Sequence, residues 1–347
     1  MCQSLKTKLE DKLTYENLLK AHYRSKQMKG NRLEVLRFEL DLETNLINLY
    51  RKIKNGAYHL GKYREFIIYE PKERLIKSLP YVDRIVHQWY IEEFIKPYMY
   101  PRFISDTYAC IEGRGTHKAV LKVQANMKKF YKKKQNYYIL KCDIKKFFYS
   151  IDKNVLYKIF ERVIRDPQLL EFTKKLIYDG TDIIGIPIGN YTSQFFANIY
   201  MNGLDHYVKE KLRIKYYVRY MDDFILLVND KEEAKIVKGK IEEYLKENLH
   251  LELNHKSNYY PNAMGVDFCG YRIFHHYILL RTRSKQKIKK NIKKWNKQFQ
   301  NDHLDLAKVR LQWNAWLAHS DHANSYHLQC RMYDKIIFKE LLRDPSL

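Results

Sequence analysis

The chain has 347 residues, and its 64 Lys and Arg against 40 Asp and Glu give a formal net charge of +24. Hydrophobic residues make up 45% and charged residues 30%, which excludes a disordered basic tail, while 12 Gly and 8 Pro exclude a collagen-like chain. The charge calls for a polyanionic partner, nucleic acid or an acidic membrane surface, and does not by itself choose between them.

The first 60 residues have helical spacing, with Leu33, Val35, Leu36, Phe38, Leu40 and Leu42 among charges. Around Tyr63–Tyr69 the pattern becomes that of a strand, ending at Pro71. Residues 81–99 are helical until Pro97, and 103–115 carry loop chemistry ending in Gly113-Arg114-Gly115. A helix with a basic end is predicted over 116–134, a strand over 137–143 and an amphipathic helix over 154–178. Residues 183–188 contain Gly185 and Pro187 and read as strand or loop; 192–212 are helical again. Tyr216–Tyr220 and Phe224–Val228 flank Met221-Asp222-Asp223, the outline of a hairpin. A helix over 232–248, a strand pair within 251–280 and only helical patterns from Arg281 onward complete the chain. Helices, then mixed elements, then helices make an α+β class. Five scattered cysteines (Cys2, Cys110, Cys142, Cys269, Cys330) form no C-x-x-C pair, which argues against a disulfide scaffold and fits a reducing, cytoplasmic setting. The polar opening MCQSLKTKLE predicts no signal peptide, and no apolar run approaches the ~18 residues of a membrane span.

The sharpest local feature is Tyr220-Met221-Asp222-Asp223. Two adjacent acids at a hairpin tip are costly to bury unpaired, although turns also favour Asp for local hydrogen bonds. Asp143 adds a third acid where the strand over 137–143 stops. If the two segments are neighbouring strands, three carboxylates converge, and a cluster of hard oxygen ligands is what Mg²⁺ selects. Two such ions about 4 Å apart lower the pKa of an attacking hydroxyl and stabilise a leaving phosphate oxygen. With the basic balance, this implies phosphoryl chemistry on nucleic acid.

Tyr-Met-Asp-Asp between apolar strands resembles the signature of reverse transcriptases. Asp143-Ile144-Lys145-Lys146-Phe147-Phe148 is similar to the family's first catalytic block. Ile186-Pro187-Ile188-Gly189-Asn190-Tyr191-Thr192-Ser193-Gln194 is similar to its template-and-nucleotide block, and Phe268-Cys269-Gly270-Tyr271 to its primer grip. The resemblance spans about residues 60–280. Where most of the family carries Gln-Gly and ends the block with Ser-Pro, this chain has Ile188-Gly189 and Ser193-Gln194. That pattern is the mark of reverse transcriptases from diversity-generating retroelements. Residues 103–120 and the segment SDHANSYHL (320–328) also resemble blocks of that branch.

The resemblance implies a right-hand polymerase: fingers with N-terminal helices over 1–136, a palm over 137–280 with part of the fingers around 154–190, and a helical thumb over 281–347. It implies two Mg²⁺ ions, with Mn²⁺ as a substitute, on Asp143, Asp222, Asp223 and the Ile144 carbonyl. Lys72 and Arg74 resemble the residues that clamp the triphosphate, Arg74 being favoured for its bidentate fork; a solvated charged face is the alternative. Phe148 stands where the family places an aromatic that excludes a ribose 2′-OH, with a core phenylalanine as the alternative. Ile188 and Gly189 would meet the nucleotide. An Ile there offers no hydrogen bond, so selection rests on shape, worth only ~1–3 kcal/mol, and errors at template adenines are expected. Gln194, Tyr220, Met221, Cys269, Gly270 and Tyr271 are candidate template or primer contacts, although Gln194 also suits a polar helix start. Arg84 and His87 share a helix face and either support the clamp or pack. Residues 281–297 hold nine Lys and Arg and no acid, with Ile288, Ile292, Trp295 and Phe299 as one stripe. Their basic face, with Lys289 and Lys293, suits a duplex backbone; a solvated or membrane-surface helix is the alternative. Implied partners are template RNA, the RNA/cDNA duplex, dNTP and a small basic accessory protein, with oligomeric assembly left open and no membrane. Retron-type and phage-defence reverse transcriptases, a metal nuclease and a silent RNA-binding scaffold remain alternatives.

Overall fold

Four helices open the chain: α1 (Leu9–Lys12), α2 (Tyr15–Lys26), α3 (Leu33–Glu39) and α4 (Leu42–Lys54). A computed structural model describes residues 4–69, 73–180 and 182–343. Of the apolar residues that suggested α3, Val35 and Phe38 are buried, whereas Leu33, Leu36 and Leu40 lie on the exposed side. A two-stranded hairpin follows, β1 (Arg64–Ile68) with β2 (Arg74–Ser78). The second of these strands lacks apolar alternation and was not predicted.

Next come α5 (Tyr81–Tyr90), a π-helical turn over Ile91–Ile95 and α6 (Lys96–Met99). Pro97 does not end the helical path, because it sits in the first turn of α6, where its missing N–H costs no helical bond. The helix α7 (Thr116–Lys133), the strand β3 (Tyr138–Asp143) and the short α8 (Phe147–Ser150) lead to α9 (Lys153–Glu161) and α10 (Pro167–Ile177). The single helix expected over 154–178 is two. Asp166 caps the second through the N–H of Leu169 at 2.9 Å, with Pro167 at its first position.

The chain continues through α11 (Tyr191–His206), β4 (Tyr217–Tyr220), β5 (Asp223–Val228) and α12 (Lys231–Leu249). The segment expected to hold one strand pair carries four short strands: β6 (Asn258–Pro261), β7 (Val266–Phe268), β8 (Tyr271–Ile273) and β9 (Ile278–Leu280). Helices α13 (Thr282–Gln300), α14 (Leu306–Ser320), α15 (Tyr326–Tyr333) and α16 (Lys339–Arg343) finish it. The structure is thus a mixed helical and antiparallel-sheet fold of the α+β class.

Strands β4, β5, β3 and β6 form one antiparallel sheet in that order, and β7, β8 and β9 a second. Both faces of the four-stranded sheet are covered. Leu140, Cys142, Tyr217, Phe224, Leu226 and Val228 point into a core shared with α5 and α9 to α12. Ile139, Val218, Ile225 and Leu227 point the other way, into a core shared with α7, β7 to β9 and the last helices. Two-sided burial explains why β5 reads as a continuous apolar run instead of alternating. Alternation persists in β3 as a different signal: Ile139, Lys141 and Asp143 share the second face, so the acid lies at the open end of that face. No helix among the described residues is long and apolar enough to cross a membrane.

Candidate active site

Antiparallel pairing places Asp143, the last residue of β3, directly opposite Asp223, the first of β5. Tyr220 also pairs with Asp223, so Met221 and Asp222 form a two-residue turn at the tip of the β4–β5 hairpin. The three acids named from sequence therefore meet at one end of the sheet. Asp143 is fixed by its backbone: its N–H donates to the Ser257 hydroxyl at 3.0 Å and its carbonyl accepts from the Asn254 N–H at 2.7 Å. The N–H of Ile144 donates to the Asp222 carbonyl at 3.3 Å, which ties the first block to the turn.

The turn is strained, and the strain is held from below. Met221 has a φ of 56°, in the left-handed region that unbranched non-glycine residues adopt at a cost of ~1–3 kcal/mol. The fully buried Arg219 donates from Nη1 to the Met221 carbonyl at 2.9 Å and to Asn198 Oδ1 at 3.1 Å. Its Nε and Nη2 form a fork on Asp205 at 2.7 and 2.6 Å. Asp205 also accepts from Tyr217 at 2.7 Å and from Thr107 at 2.8 Å, so each of its oxygens takes two bonds. The loop over 103–115 completes this floor: Tyr108 N–H donates to Arg219 O at 3.0 Å, and Arg219 N–H to Asp106 O at 2.9 Å. In the sequence Arg219 is visible only as the base next to these acids. Asp205, Asn198 and Thr107 carried no signal, because their partners lie on other elements.

Electrostatically the acids act on one another. Burial, with Asp143 and Asp222 nearby, pushes the Asp223 carboxyl up to about 7 even though the Lys141 ammonium opposes it. Lys141 stands 3.3 Å from Asp223 Oδ2 and donates to the Asp267 carbonyl at 2.6 Å. Asp223 Oδ1 is buried and has no hydrogen-bond partner. A buried, unsatisfied carboxylate oxygen beside two further acids is a donor set suited to a hard cation. Among the described residues no three acid, His or Cys side chains are already gathered as a metal cluster.

Asp143 and Asp223 line an open cleft of about 920 Å³ with seven bases (Arg74, Lys141, Lys256, Arg272, Arg281, Arg283 and Lys287) against three acids, the third being Asp267. Arg74 is exposed at the start of β2 and reaches this cleft from the other hairpin. Lys72 lies outside the described residues. Lys256 was missed in the sequence; it lies just before β6, whose position beside β3 only the sheet pairing reveals.

Phe148 is half-buried against the main core and against Phe147, which is fully packed. Ile188 is half-buried, and its carbonyl accepts from the Lys77 N–H of β2 at 2.9 Å. Gly189 has a φ of 130°, and a Cβ there would stand 2.6 Å from the Lys77 carbonyl. Only glycine lets these two segments meet. Gln194 is exposed on the first turn of α11 and accepts from the Cys110 thiol at 3.3 Å. His87 is buried and bonded to Thr192 at 3.0 Å, with burial lowering its pKa to about 3, and Arg84 pairs with Glu34 at 2.8 Å. Both serve packing.

At the segment that resembles a primer grip, Phe268 pairs with Tyr271 around a two-residue turn, Cys269 and Gly270, both at positive φ. This matches the geometry favoured between twisted strands. Gly270 lines the cleft, and Cys269 is half-buried beside Asp223, its thiol pushed up by burial. Tyr271, expected as a nucleic-acid contact, is instead fully buried in the second core. Tyr220 packs against the second core and Met221 against the first. On α13, Ile288, Ile292 and Trp295 are buried as expected. Lys289 and Lys293 are exposed but lie on the flank away from the cleft, which Arg281, Arg283 and Lys287 face.

A family model for reverse transcriptase (RNA-dependent DNA polymerase) matches residues 68–273. The chain belongs to the reverse transcriptase family. It is 24% identical, over 39% of its own length, to a COX1/OXI3 intron 2 protein of Saccharomyces cerevisiae, of which it covers 24%. It thus spans about a quarter of that relative. Among solved structures, it is similar to apo telomerase of Candida tropicalis truncated from its C-terminal domain, with a TM-score of 0.45 and 16% identity over 66% of this chain and 58% of that one. Telomerase of Candida albicans in complex with a telomeric RNA fragment gives a TM-score of 0.48 and 12% identity, over 88% of this chain and 66% of that one.

Proposed function

We propose that the chain is an RNA-directed DNA polymerase that extends a primer 3′-hydroxyl on an RNA template, and that it copies the template RNA of a diversity-generating retroelement. The observation that carries the polymerase reading is the pairing of Asp143 with Asp223, with Asp222 on the adjoining turn, at the mouth of a basic cleft. Asp143, Asp222, Asp223 and the Ile144 carbonyl would hold two Mg²⁺ ions. Bound there, the ions supply activation of the attacking hydroxyl and charge stabilisation at the leaving oxygen. The chain's own groups do the rest: the Arg219 network fixes the turn, Lys141 balances Asp223, and Arg74 offers a bidentate donor pair to phosphate across the cleft. A small basic accessory protein is the expected partner for template choice.

The branch reading is supported by the loop over 188–194. Ile188 presents an apolar side chain, and its backbone is strapped to β2 by the Lys77 bond. Nucleotide choice there rests on shape alone. The test is cDNA synthesis by the chain on its retroelement RNA, with or without an added basic protein, and sequencing of the products. Substitutions should concentrate opposite template adenines, and Ile188→Gln should lower them. Faithful copying of adenines by the native chain would overturn the branch. Similarity to the yeast intron 2 protein favours a second reading, an intron-type enzyme, for which accurate full-length copies of a long structured RNA are expected.

A further inference from the structure

Two sequence blocks, residues 113–117 and 320–328, are not absorbed by the chemistry above, and the fold brings them together around one half-buried histidine. His319 ends α14 and lines the same cleft as Asp143 and Asp223. Its ring lies against the primer-grip turn: a Cβ on Gly270 would stand 3.3 Å from His319 Cε1 and 3.8 Å from Nε2. The buried Tyr271 holds the opposite edge, its hydroxyl 2.9 Å from His319 Nδ1 and 2.8 Å from the His319 carbonyl. No described residue hydrogen-bonds to Nε2.

The surroundings fix this placement. Asn324 clasps the edge of β9, donating its N–H to the Ile278 carbonyl at 2.8 Å and accepting from the Ile278 N–H at 2.9 Å through Oδ1. Ser325 donates to the Ser320 carbonyl at 2.7 Å, closing the turn between α14 and α15. His322 stacks on His117, at the start of α7, with ring centroids 3.4 Å apart.

We propose that His319 is a primer-binding residue that donates an Nε2–H hydrogen bond to a phosphate oxygen of the primer strand at the grip, with Tyr271 and Asn324 as its positioning residues. The proton arithmetic favours this. The Tyr271 hydroxyl has one proton and two acceptors in reach, the His319 carbonyl and Nδ1. Donation to the carbonyl leaves the ring proton on Nδ1, whereas donation to Nδ1 leaves it on Nε2. An anionic oxygen at Nε2 selects the second state, which is reached by a hydroxyl rotation together with transfer of the ring proton from Nδ1 to Nε2 through solvent. Burial, with His117 and His322 nearby, lowers the His319 pKa, so it donates as a neutral ring. The contact therefore positions the strand without releasing a counterion.

The inference rests on the polymerase reading, and the test separates the two. Binding of an RNA-template/DNA-primer duplex to the full chain is measured by anisotropy across a salt series, beside extension of the same duplex. His319→Ala should weaken binding about tenfold, as loss of a hydrogen bond to a charged group does, and leave the slope of log K against log salt unchanged. Lys287→Ala should instead reduce that slope by about 0.7–0.9. His319→Gln, which keeps an N–H donor, should recover most of the binding, and Tyr271→Phe should lose a few-fold. His319→Ala binding as tightly as the native chain, or losing a full charge's worth of slope, would overturn the inference. Failure of the native chain to bind or extend the duplex would overturn the polymerase reading instead.

Discussion

Two hairpins bring the chemistry to the cleft, and they are built in opposite ways. In β4–β5 nearly every residue is buried, both sheet faces are packed, and the strained Met221 turn rests on Arg219, Asp205 and Asn198. In β1–β2 the burial pattern is exposed along nearly all of β1, and Phe66 and Ile67 stand in the open. Its described tie to the loop over 188–194 is the Lys77–Ile188 bond and the close fit at Gly189. The acids are thus preorganised, whereas the cationic arm is left free to adapt. Carboxylates repel one another and must be held by structure, while an arginine reaching for phosphate is ordered by its ligand.

The largest expected effect breaks the buried half of this contrast. Asp205→Ala leaves Arg219 charged and unpaired in the core, a loss of ~3–5 kcal/mol. Thermal melting should fall sharply and extension should be lost. Arg74→Ala removes an exposed side chain, and its effect on stability should stay within about 0.5 kcal/mol while the KM for dNTP rises. Comparable melting losses from both variants would erase the distinction between the hairpins.

A smaller effect sharpens it. The folded Asp223 carboxyl sits at about 7 against an ordinary 3.8, so its contribution to stability is fully present below 3.8 and is lost as pH rises through 7. Without divalent ions, Asp223→Asn should raise the melting midpoint at pH 8 on the order of 2–4 °C, the size of shift that about 1 kcal/mol gives, and raise it by less than half as much at pH 5. An equal rise at both values would show that the acids do not strain the turn.

How much of this was readable beforehand follows the same division. The β4–β5 hairpin, β3 and α7 were legible because apolar runs and periodicity are local signals. The short strands β7 to β9 were blurred because each holds three residues, too few to show a period. The three acids were found by type and spacing. Arg219 was visible but its role was not, since Asp205 lies on α11 and Thr107 in a distant loop. On α13 the stripe Ile288-Ile292-Trp295 identified the buried side. It could not tell which flank meets the cleft, so Lys289 and Lys293 were chosen where Lys287 faces it. Tyr271 was read as a contact because it lies in the segment that resembles the primer grip; in the fold it serves as the prop for His319.

The most direct measurement is extension of oligo(dT) on poly(rA) with dTTP and Mg²⁺ by the native chain and by the variant carrying Asp222→Ala and Asp223→Ala. The expected result is product from the native chain, none from the variant, and equal binding of the duplex by both. Product from the variant, or none from a folded native chain that binds the duplex, would contradict the assignment of these acids to polymerisation.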